Sequence, residues 1–383
     1  MNSKLVLIVA GEASGDLHGA SLVGAMVKRE PGIRFYGIGG VNLKTAGVDL
    51  WADAADMAVV GLTEVASKLR GILTVMHRLK KSMQLLKPDL VILIDYPDFN
   101  LPLARSAKKN GIPVFYYISP QVWAWRKGRL RTISGLVDRM AVILPFEEPL
   151  YRQAGVDVSF VGHPLLDVVQ ATSSRDETLR MFGLREDVTT VALLPGSRKG
   201  EVTRLLPVML KAARILTENI CPVQFLLPMA NTLDETWMKD QIAKADPPGV
   251  RLIRGATYDA VAAADAAVVV SGTATLETAL LGTPLIVIYK VSALSYLIGR
   301  MLISVDHIGL VNIVAGKTVA PELIQGAANP ERIAAEILAI LGQPDRRKAI
   351  QEELSHLRDK LGLPGAAERA AVMALTLIKK SDC

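Results

Sequence analysis

The chain has 383 residues, of which half are hydrophobic, and it carries a formal net charge of +6. This length exceeds the size at which one hydrophobic core stops growing, so two domains are expected. Every stretch long enough to span a bilayer contains charged residues or helix-ending Gly and Pro, so we expect no spanning helix. The two cysteines exclude a disulfide framework or a cysteine-ligated metal site, and they are typical of a reducing cytoplasm.

Short apolar runs alternate with helical patterns along the first half of the chain. They are rich in Val and Ile and do not alternate polar with apolar residues, which is typical of parallel strands covered on both faces. In chain order they are KLVLIVA, IRFYGIGG, DLVILID, PVFYYIS, RMAVILP and VSFVG. We therefore expect a doubly wound α/β domain, similar to a Rossmann fold, over residues 1–170.

A polar stretch, ATSSRDETLR, separates these runs from a second series. The second series consists of VTTVALLP, VQFLLPMA, VRLIRG, AAVVVSG and PLIVIY, each followed by a helix-capable segment. It predicts another Rossmann-like domain over 171–345, and helices in 346–383 are expected to cross back towards the first domain. Two such domains would place the carboxyl ends of both sheets at one interdomain cleft, where ligands of open α/β sheets bind.

A loop with several titratable groups, GEASGDLHGA, follows the first apolar run. Its glycines do not have the spacing of the dinucleotide fingerprint G-x-G-x-x-G. Polar residues at the carboxyl end of a predicted strand are candidates for contact with a substrate, here Glu12, Ser14, Asp16 and His18. Capping of the following helix by Ser14 and Asp16 is an equal alternative.

The stretch DLVILIDYPDFN contains two aspartates after its apolar run. Asp95 ends the predicted strand, and Asp98 stands at the entry to the next helix. A transferase needs a carboxylate at its active site to take a proton from the attacking hydroxyl group. We assign this role first to Asp98, with Asp95, Asp16 and His18 as alternatives. An N-cap role for Asp98 stays open at this point.

Two acid-free segments carry basic and apolar residues together. SPQVWAWRKGRLR places Trp123 and Trp125 beside a cluster of arginines that includes Arg126. Between Glu64 and Asp89, apolar residues recur at helical spacing and the basic residues largely avoid their stripe. The stripe comprises Leu69, Ile72, Met76, Leu79, Met83 and Leu86. A buried core helix is the first interpretation and contact with anionic lipid is the alternative, whereas nucleic acid is disfavoured because no stacking platform accompanies the charge.

The turn in VALLPGSRKGE carries positive charge where a strand should pass into a helix. Gly196 and Ser197 leave room for an incoming group, and Arg198 presents a planar fork that matches phosphate oxygens. Glu201 follows in the first turn of the helix and is counted with the nucleotide-binding residues. An ordinary strand–helix turn with a solvated arginine is the alternative interpretation.

The segment SGTATLETALLG predicts a second anion site. Gly272 gives the backbone room, and the free N–H groups and hydroxyls from Thr273 to Thr275 begin a helix. Glu277 either complements the helix dipole or accepts hydrogen bonds from a ribose diol. Two anion sites on neighbouring crossovers, with a carboxylate beside them, predict a nucleotide diphosphate. The chain has neither a P-loop nor an Asp-x-Asp pair, so we expect transfer without a metal ion or a cofactor.

Several of these segments occur in a familiar order: GEASGDLHGA, FYGIGG, GLTEV, IDYPDFN, YYISPQVWAWR, VGHPLLD, LLPGSRKGE and SGTATLETALLGTP. Together they resemble lipid-A-disaccharide synthase, a family of GT-B-fold glycosyltransferases, from residue 5 to about 325. The resemblance implies an inverting transfer from UDP-2,3-diacylglucosamine to 2,3-diacylglucosamine 1-phosphate, with a β(1→6) linkage and release of UDP. It also implies a cytoplasmic enzyme that is peripheral to the inner membrane and serves lipopolysaccharide assembly.

Carried over position by position, the resemblance assigns catalysis to Asp98, Arg198 and Asn312. The sequence departs from the family pattern near the last of these, because Val311 and Ala293 stand where the family usually has proline. These departures affect the local backbone but keep the asparagine.

The basic cluster from Arg126 to Arg131 would bind the 1-phosphate of the acceptor, so that Arg126 is counted with the acceptor site. A UDP-sugar epimerase and a transferase with a polyprenyl-linked acceptor are alternatives that share this architecture. A non-catalytic nucleotide-binding or membrane adaptor is a third alternative. A homodimer is left open.

Overall fold

Two parallel β-sheets divide the chain into two units, each with its own core. In this computed structural model the described residues are 3–54, 62–122, 128–244, 249–292, 296 and 306–379, with the side chains of 62–69 and 379 outside this set. The first unit runs to Leu166 and takes up the chain again from Leu361, whereas the second unit comprises Asp167–Lys360. The division therefore falls after residue 166 rather than at the expected 170.

The first unit contains a seven-stranded parallel sheet in the order β3-β2-β1-β4-β5-β6-β7. Its strands are β1 (Leu5–Ala10), β2 (Arg34–Gly39), β3 (Asp49–Asp53), β4 (Leu90–Ile94), β5 (Val114–Tyr117), β6 (Arg139–Val142) and β7 (Val158–Phe160). β1 and β4 are buried along nearly their whole length, as the apolar runs predicted. The edge strand β3 was not predicted, because the segment DLWAD begins and ends with an acidic residue and contains no apolar run.

The second unit contains a six-stranded parallel sheet in the order β10-β9-β8-β11-β12-β13. Its strands are β8 (Thr189–Leu194), β9 (Val223–Met229), β10 (Val250–Arg254), β11 (Ala266–Val270), β12 (Leu285–Tyr289) and β13 (Glu322–Ile324). The last strand lies at the edge and has only three residues, which is too short for a sequence pattern. If the strands of each sheet are numbered in chain order, both sheets begin with the order 3-2-1-4. This is the order of doubly wound nucleotide-binding folds.

Helices connect the strands of both sheets. The helices of the first series are α1 (Ala13–Arg29), α2 (Val41–Thr45), α3 (Leu62–Leu86), α4 (Pro97–Lys109), α5 (Arg129–Ser134), α6 (Glu147–Gln153) and α7 (Leu165–Val168). Those that follow are α8 (Arg175–Met181), α9 (Lys199–Asn219), α10 (Glu235–Ala243), α11 (Thr257–Ala262), α12 (Thr273–Leu280), α13 (Leu310–Ala315), α14 (Pro330–Gly342), α15 (Pro344–Lys360) and α16 (Ala366–Lys379).

The two last helices belong to different units. α15 buries Ile350, Leu354 and Leu357 and packs against α12, α13 and α14 of the second unit. α16 packs on α1 of the first unit. The return to the first unit therefore begins at Leu361 rather than at 346 as expected, because the apolar stripe of α15 is already covered within the second unit.

The apolar stripe of α3 is mainly a core stripe. Met76, Leu79 and Met83 are buried in the core of the first unit, which agrees with the first interpretation of this helix. Leu86 belongs to the predicted stripe but is exposed. The side chain of Leu69, like residues 55–61, lies outside the described set. Among the described residues, no helix is both long and apolar enough to cross a membrane.

Candidate active site

The strand order of the first sheet reverses between β1 and β4, and ligands of open α/β sheets bind at the carboxyl ends of such a pair. Ala10 and Ile94, the last residues of these two strands, are paired in register. The loops that begin at Gly11 and Asp95 therefore start side by side. Residue 11 has to be glycine, because a Cβ atom there would lie 2.3 Å from the ring of Tyr96.

The backbone at this edge of the sheet is strained. Asp95, Tyr96 and Ile118 have φ values of 44°, 45° and 60°, in the left-handed region that non-glycine residues rarely adopt. The Asp95 N–H donates to the Ile118 carbonyl at 3.1 Å, and the Asp95 carbonyl accepts from Asn100 Nδ2 at 2.7 Å and from the Tyr116 hydroxyl at 2.6 Å. Each such residue costs roughly 1–3 kcal/mol, and strain of this kind clusters at functional sites.

The carboxyl group of Asp95 is half-buried beside that of Glu12. Burial and the negative charge of Glu12 raise the pKa of Asp95 to about 6, although a hydrogen bond from the Tyr96 N–H opposes this rise. Glu12 itself is exposed at the N-cap position of α1. The structure thus brings together two of the predicted acceptor-site residues, and the raised pKa lets Asp95 hold a proton up to about pH 6.

Asp98 lies in the first turn of α4, and its side chain is 73% exposed. Its Oδ1 forms an ion pair with Nη2 of Arg129, whose side chain is only 22% exposed and which begins α5. Asp98 is therefore an exposed, ion-paired carboxylate at the same edge of the sheet as Asp95. The predicted acceptor residue Arg126, together with Trp123 and Trp125, lies outside the described residues.

Asp16 has a structural role that the sequence did not indicate. Its buried carboxylate accepts hydrogen bonds from the N–H groups of Gly40 at 2.6 Å, Asn42 at 3.0 Å and Leu43 at 3.1 Å, and from the Asn42 side chain at 2.9 Å. It thereby caps α2 rather than its own helix α1. A carboxylate with all its lone pairs occupied has nothing left for a substrate, so we place Asp16 outside the contact residues.

His18 and Ser14, the remaining candidates of this loop, lie on α1. Burial lowers the pKa of His18 to about 4, so its imidazole is neutral near pH 7. The nearby His163 is also buried, and burial together with His18 lowers its pKa to about 3. Ser14 is exposed.

In the second sheet the strand order reverses between β8 and β11, which are direct neighbours with Leu194 paired to Val269. The two predicted anion sites follow these strands and therefore lie side by side. Gly196 has a φ of 105°, and a Cβ atom there would lie 2.6 Å from Oε2 of Glu201. This close approach explains why glycine is required.

Arg198 occupies the N-cap position of α9, and its side chain is 63% exposed. Its Nη1 lies 3.2 Å from Oε1 of Glu201, one turn into the helix. Ser197 is exposed, and its carbonyl accepts from the Thr232 hydroxyl at 2.7 Å. The turn thus displays a guanidinium group and a hydroxyl group to solvent, with Glu201 as the partner that orients the guanidinium.

The second turn begins at Gly272, with a φ of 147°, and leads into α12. Thr273 is exposed in its first turn, whereas Thr275 is fully buried. The Thr275 hydroxyl donates to the Gly272 carbonyl at 2.8 Å and accepts from the Val311 N–H at 3.4 Å. Thr275 therefore shapes the turn and does not face a ligand.

Glu277 is half-buried on α12 and accepts a hydrogen bond from the Tyr258 hydroxyl at 3.1 Å. Burial raises the pKa of Glu277, and the hydrogen bond from Tyr258 opposes this rise. The carboxylate keeps acceptor capacity beyond this single bond, as binding of a diol requires.

Asn312 is fully buried on α13, and its amide is fully hydrogen-bonded. Nδ2 donates to the Ala320 carbonyl at 2.7 Å and to Glu322 Oε1 at 2.8 Å, while Oδ1 accepts from the N–H groups of Val319 at 2.8 Å and Ala320 at 2.9 Å. With two donors and two acceptors used, the amide has no group left for a substrate. The catalytic contact predicted for Asn312 finds no support in this geometry.

Glu322, on the unpredicted strand β13, is the centre of this network. Its carboxylate also accepts from the N–H groups of Ile308 at 3.0 Å and Gly309 at 3.0 Å. The Ile308 carbonyl in turn accepts from the Ser271 hydroxyl at 2.8 Å, next to the Gly272 turn. The hydrogen bonds of Asn312 and Glu322 therefore support the turn that begins at Gly272.

The first unit thus offers a proton-accepting group, and the second offers a cationic turn beside a helix N-terminus. Among the described residues, no group of three or more His, Cys, Asp or Glu side chains is arranged to hold a metal ion.

The chain matches a known protein family over nearly its whole length. The model of the family Lipid-A-disaccharide synthetase matches residues 6–376. A lipid-A-disaccharide synthase of Trichlorobacter lovleyi is 50% identical over 378 residues, which are 99% of this chain and 98% of that protein.

Two solved structures share the fold at low sequence identity. UDP-GlcNAc 2-epimerase from Neisseria meningitidis, bound to UDP-GlcNAc, has a TM-score of 0.64 at 13% identity and covers 98% of this chain and 100% of its own. MurG of Acinetobacter baumannii has a TM-score of 0.59 at 16% identity and covers 97% of this chain and 99% of its own. The expected GT-B fold, which glycosyltransferases and epimerases share, is confirmed, and the full-length family match decides between them: the chain belongs to the lipid-A-disaccharide synthase family of glycosyltransferases.

Proposed function

We propose that this enzyme transfers the 2,3-diacylglucosaminyl group of UDP-2,3-diacylglucosamine to O6 of 2,3-diacylglucosamine 1-phosphate. The products are the β(1→6)-linked disaccharide 1-phosphate and UDP. The observation that carries this proposal is the pair of anion-binding turns on the neighbouring strands β8 and β11, with Arg198 on one and the N-terminus of α12 on the other. Two such sites side by side suit a nucleotide diphosphate.

The second unit holds the donor in this proposal. Arg198 and the N–H groups that follow Gly272 bind the diphosphate, while Glu201 keeps the guanidinium in place. The exposed hydroxyls of Ser197 and Thr273 add hydrogen bonds, and Glu277 accepts from the ribose diol. These groups neutralise the charge that develops on the leaving UDP, so no metal ion is required for this step.

The first unit supplies the base. Asp98 takes the proton of the acceptor 6-hydroxyl while O6 forms a bond to the anomeric carbon of the donor. The bond from that carbon to the diphosphate oxygen breaks at the same time, and UDP leaves with the electron pair. Attack opposite to the leaving group inverts the configuration at the anomeric carbon. Asp95 and Glu12 lie at the same edge and complete the acceptor site.

Asp16, Thr275 and Asn312 act by positioning in this proposal. Asp16 fixes the loop between β2 and α2. β2 is the neighbour of β1 in the sheet. Thr275 and Asn312 hold the turn that binds the diphosphate. Their replacement would therefore lower activity through misplaced neighbours rather than through a lost contact.

We also propose that the enzyme works at an anionic membrane surface. The outer side of α3 exposes Leu73 by 57% and Leu85 by 71%, with the exposed basic residues Arg70, Arg78 and Lys81 on the same helix. Apolar side chains enter the interface of the bilayer, and basic ones are attracted by anionic headgroups. An acceptor with two acyl chains resides in such a membrane.

The variant Asp98→Asn tests the assignment of the base. We expect kcat to fall by about 100-fold or more, the usual contribution of a positioned base, while the affinity for UDP stays unchanged. UDP release in the presence of both substrates gives the rate, and calorimetry gives the affinity. Turnover within a few-fold of wild type would reassign the base, and no UDP release by wild type would favour the non-catalytic adaptor.

A further inference from the structure

The ion pair between Asp98 and Arg129 joins two groups of unequal exposure. The side chain of Asp98 is 73% exposed, whereas that of Arg129 is only 22% exposed. The guanidinium is therefore the more covered partner, and the carboxylate is the one that solvent and an incoming ligand reach. An ion pair with so exposed a partner contributes little stability and separates easily.

We propose that Arg129 holds Asp98 in the unliganded enzyme and binds the phosphate of the acceptor when it arrives, thereby releasing Asp98 as the base. This inference rests on the proposed function, because it takes the phosphorylated acceptor from it. Arg129 then has two successive partners, first Asp98 and then the acceptor phosphate. Arrival of the phosphate switches on catalysis. Arg129 is thus a substrate-binding residue in the loaded enzyme and a restraint on the base in the empty one.

The chemistry of the two anions favours the exchange. A guanidinium fork donates two parallel hydrogen bonds to a phosphate, and the charge of a phosphate monoester exceeds that of a single carboxylate. Arg129 is also more weakly hydrated than a lysine would be, which favours its pairing with an anion at a partly covered site. A phosphate within reach of the guanidinium therefore displaces the exposed carboxylate.

The release of Asp98 couples base catalysis to the presence of the acceptor. In the loaded enzyme the carboxylate, no longer paired with Arg129, takes the proton of the 6-hydroxyl, O6 bonds to the anomeric carbon, and UDP departs with the electrons of the broken bond. In the empty enzyme the guanidinium competes with water for the carboxylate, so the donor is hydrolysed more slowly than it would be without Arg129. The same contact thus serves substrate recognition and protects the donor.

A cycle of enzyme variants and acceptors tests this inference. Wild type and Arg129→Ala are each assayed with 2,3-diacylglucosamine 1-phosphate and with the same sugar lacking the phosphate. We expect Arg129→Ala to lower kcat/KM for the phosphorylated acceptor by about 10- to 100-fold, the size expected for lost charge-assisted hydrogen bonds. The kcat/KM for the acceptor without the phosphate should stay within about 3-fold of wild type. Hydrolysis of the donor without any acceptor should rise several-fold in the variant.

Two further variants keep the test independent of folding. Arg105→Ala removes an exposed positive charge from α4, and we expect it to match wild type in every assay. Arg129→Lys keeps the charge but loses the fork, so it should fall between wild type and Arg129→Ala in preference for the phosphorylated acceptor.

Other results would overturn the inference. Equal losses with both acceptors would show that Arg129 does not recognise the phosphate, and donor hydrolysis at the wild-type rate would show that it does not restrain Asp98. Both outcomes leave the proposed function intact as long as wild type releases UDP with the phosphorylated acceptor. Failure of wild type in that reaction would instead contradict the proposed function itself.

Discussion

Replacement of Asp95 by asparagine should stabilise the protein at neutral pH and not in acid. The rise in the pKa of this carboxyl from 3.8 to about 6 corresponds to at most about 3 kcal/mol, at about 1.36 kcal/mol per pKa unit. Because the side chain is only half-buried, solvent screening reduces this figure, and we expect about 1–2 kcal/mol. Asparagine tolerates the left-handed backbone at this position and can still accept from the Tyr96 N–H.

The sign of the effect follows from proton binding. A raised pKa means that the folded state still holds a proton where the unfolded state has lost it, so wild type loses stability between about pH 4 and pH 6. The neutral asparagine has no such loss. The free energy of unfolding in urea should therefore be higher for Asp95→Asn at pH 7–8 and equal to that of wild type near pH 4.

The exposed side chain of Glu30 serves as a control, because Glu30→Gln in the same unit is a surface substitution that should leave the free energy of unfolding at pH 7–8 within about 0.5 kcal/mol of wild type. A stability difference for Asp95→Asn that is the same at pH 4 and pH 8 would refute the assigned cause, which is the burial of a carboxyl group beside Glu12.

Three further predictions concern the donor site, its support and the membrane surface. Arg198→Ala should weaken UDP binding about 10- to 100-fold by calorimetry, and an unchanged affinity would remove Arg198 from the phosphate site. Glu322→Gln replaces a carboxylate oxygen that accepts from a part-buried N–H group by an NH2 group, so thermal unfolding should show a loss of about 1–3 kcal/mol together with weaker UDP binding, and full stability would contradict the supporting role. Joint replacement of Leu73 and Leu85 by serine should reduce sedimentation with phosphatidylglycerol vesicles, while Leu363→Ser, at an exposed leucine outside α3, should not; equal binding by all variants would argue against α3 as the membrane face.

The central strands of both sheets were predictable because they are covered on both faces, and burial on both faces leaves an uninterrupted apolar run. The edge strands β3 and β13 are not covered in this way. Their sequences, DLWAD and ELI, therefore contain no long apolar run. The boundary was expected at 170, close to its position after 166, because the polar linker leaves a local pattern. The return to the first unit was expected at 346, one helix before its position at Leu361. The assignment of α15 to the second unit depends on tertiary packing, which no local pattern shows.

The candidate site was predictable where the chemistry is local. The glycines at 196 and 272 and the neighbouring Arg198 follow strands directly, so their placement at one sheet edge follows from the strand order. Partners that are distant in the sequence were not predictable. Asp16 is engaged by residues 40–43, and Glu322 binds backbone groups at 308 and 309, so neither role has a signal in the neighbouring sequence.

The most direct test is incubation of the purified enzyme with UDP-2,3-diacylglucosamine, with and without 2,3-diacylglucosamine 1-phosphate, in the presence of a chelator. We expect UDP and the disaccharide 1-phosphate to form in equal amounts only when the acceptor is present, and the chelator to leave the rate unchanged. Conversion of the donor alone into an epimer, or loss of turnover on chelation, would contradict metal-independent transfer to the acceptor.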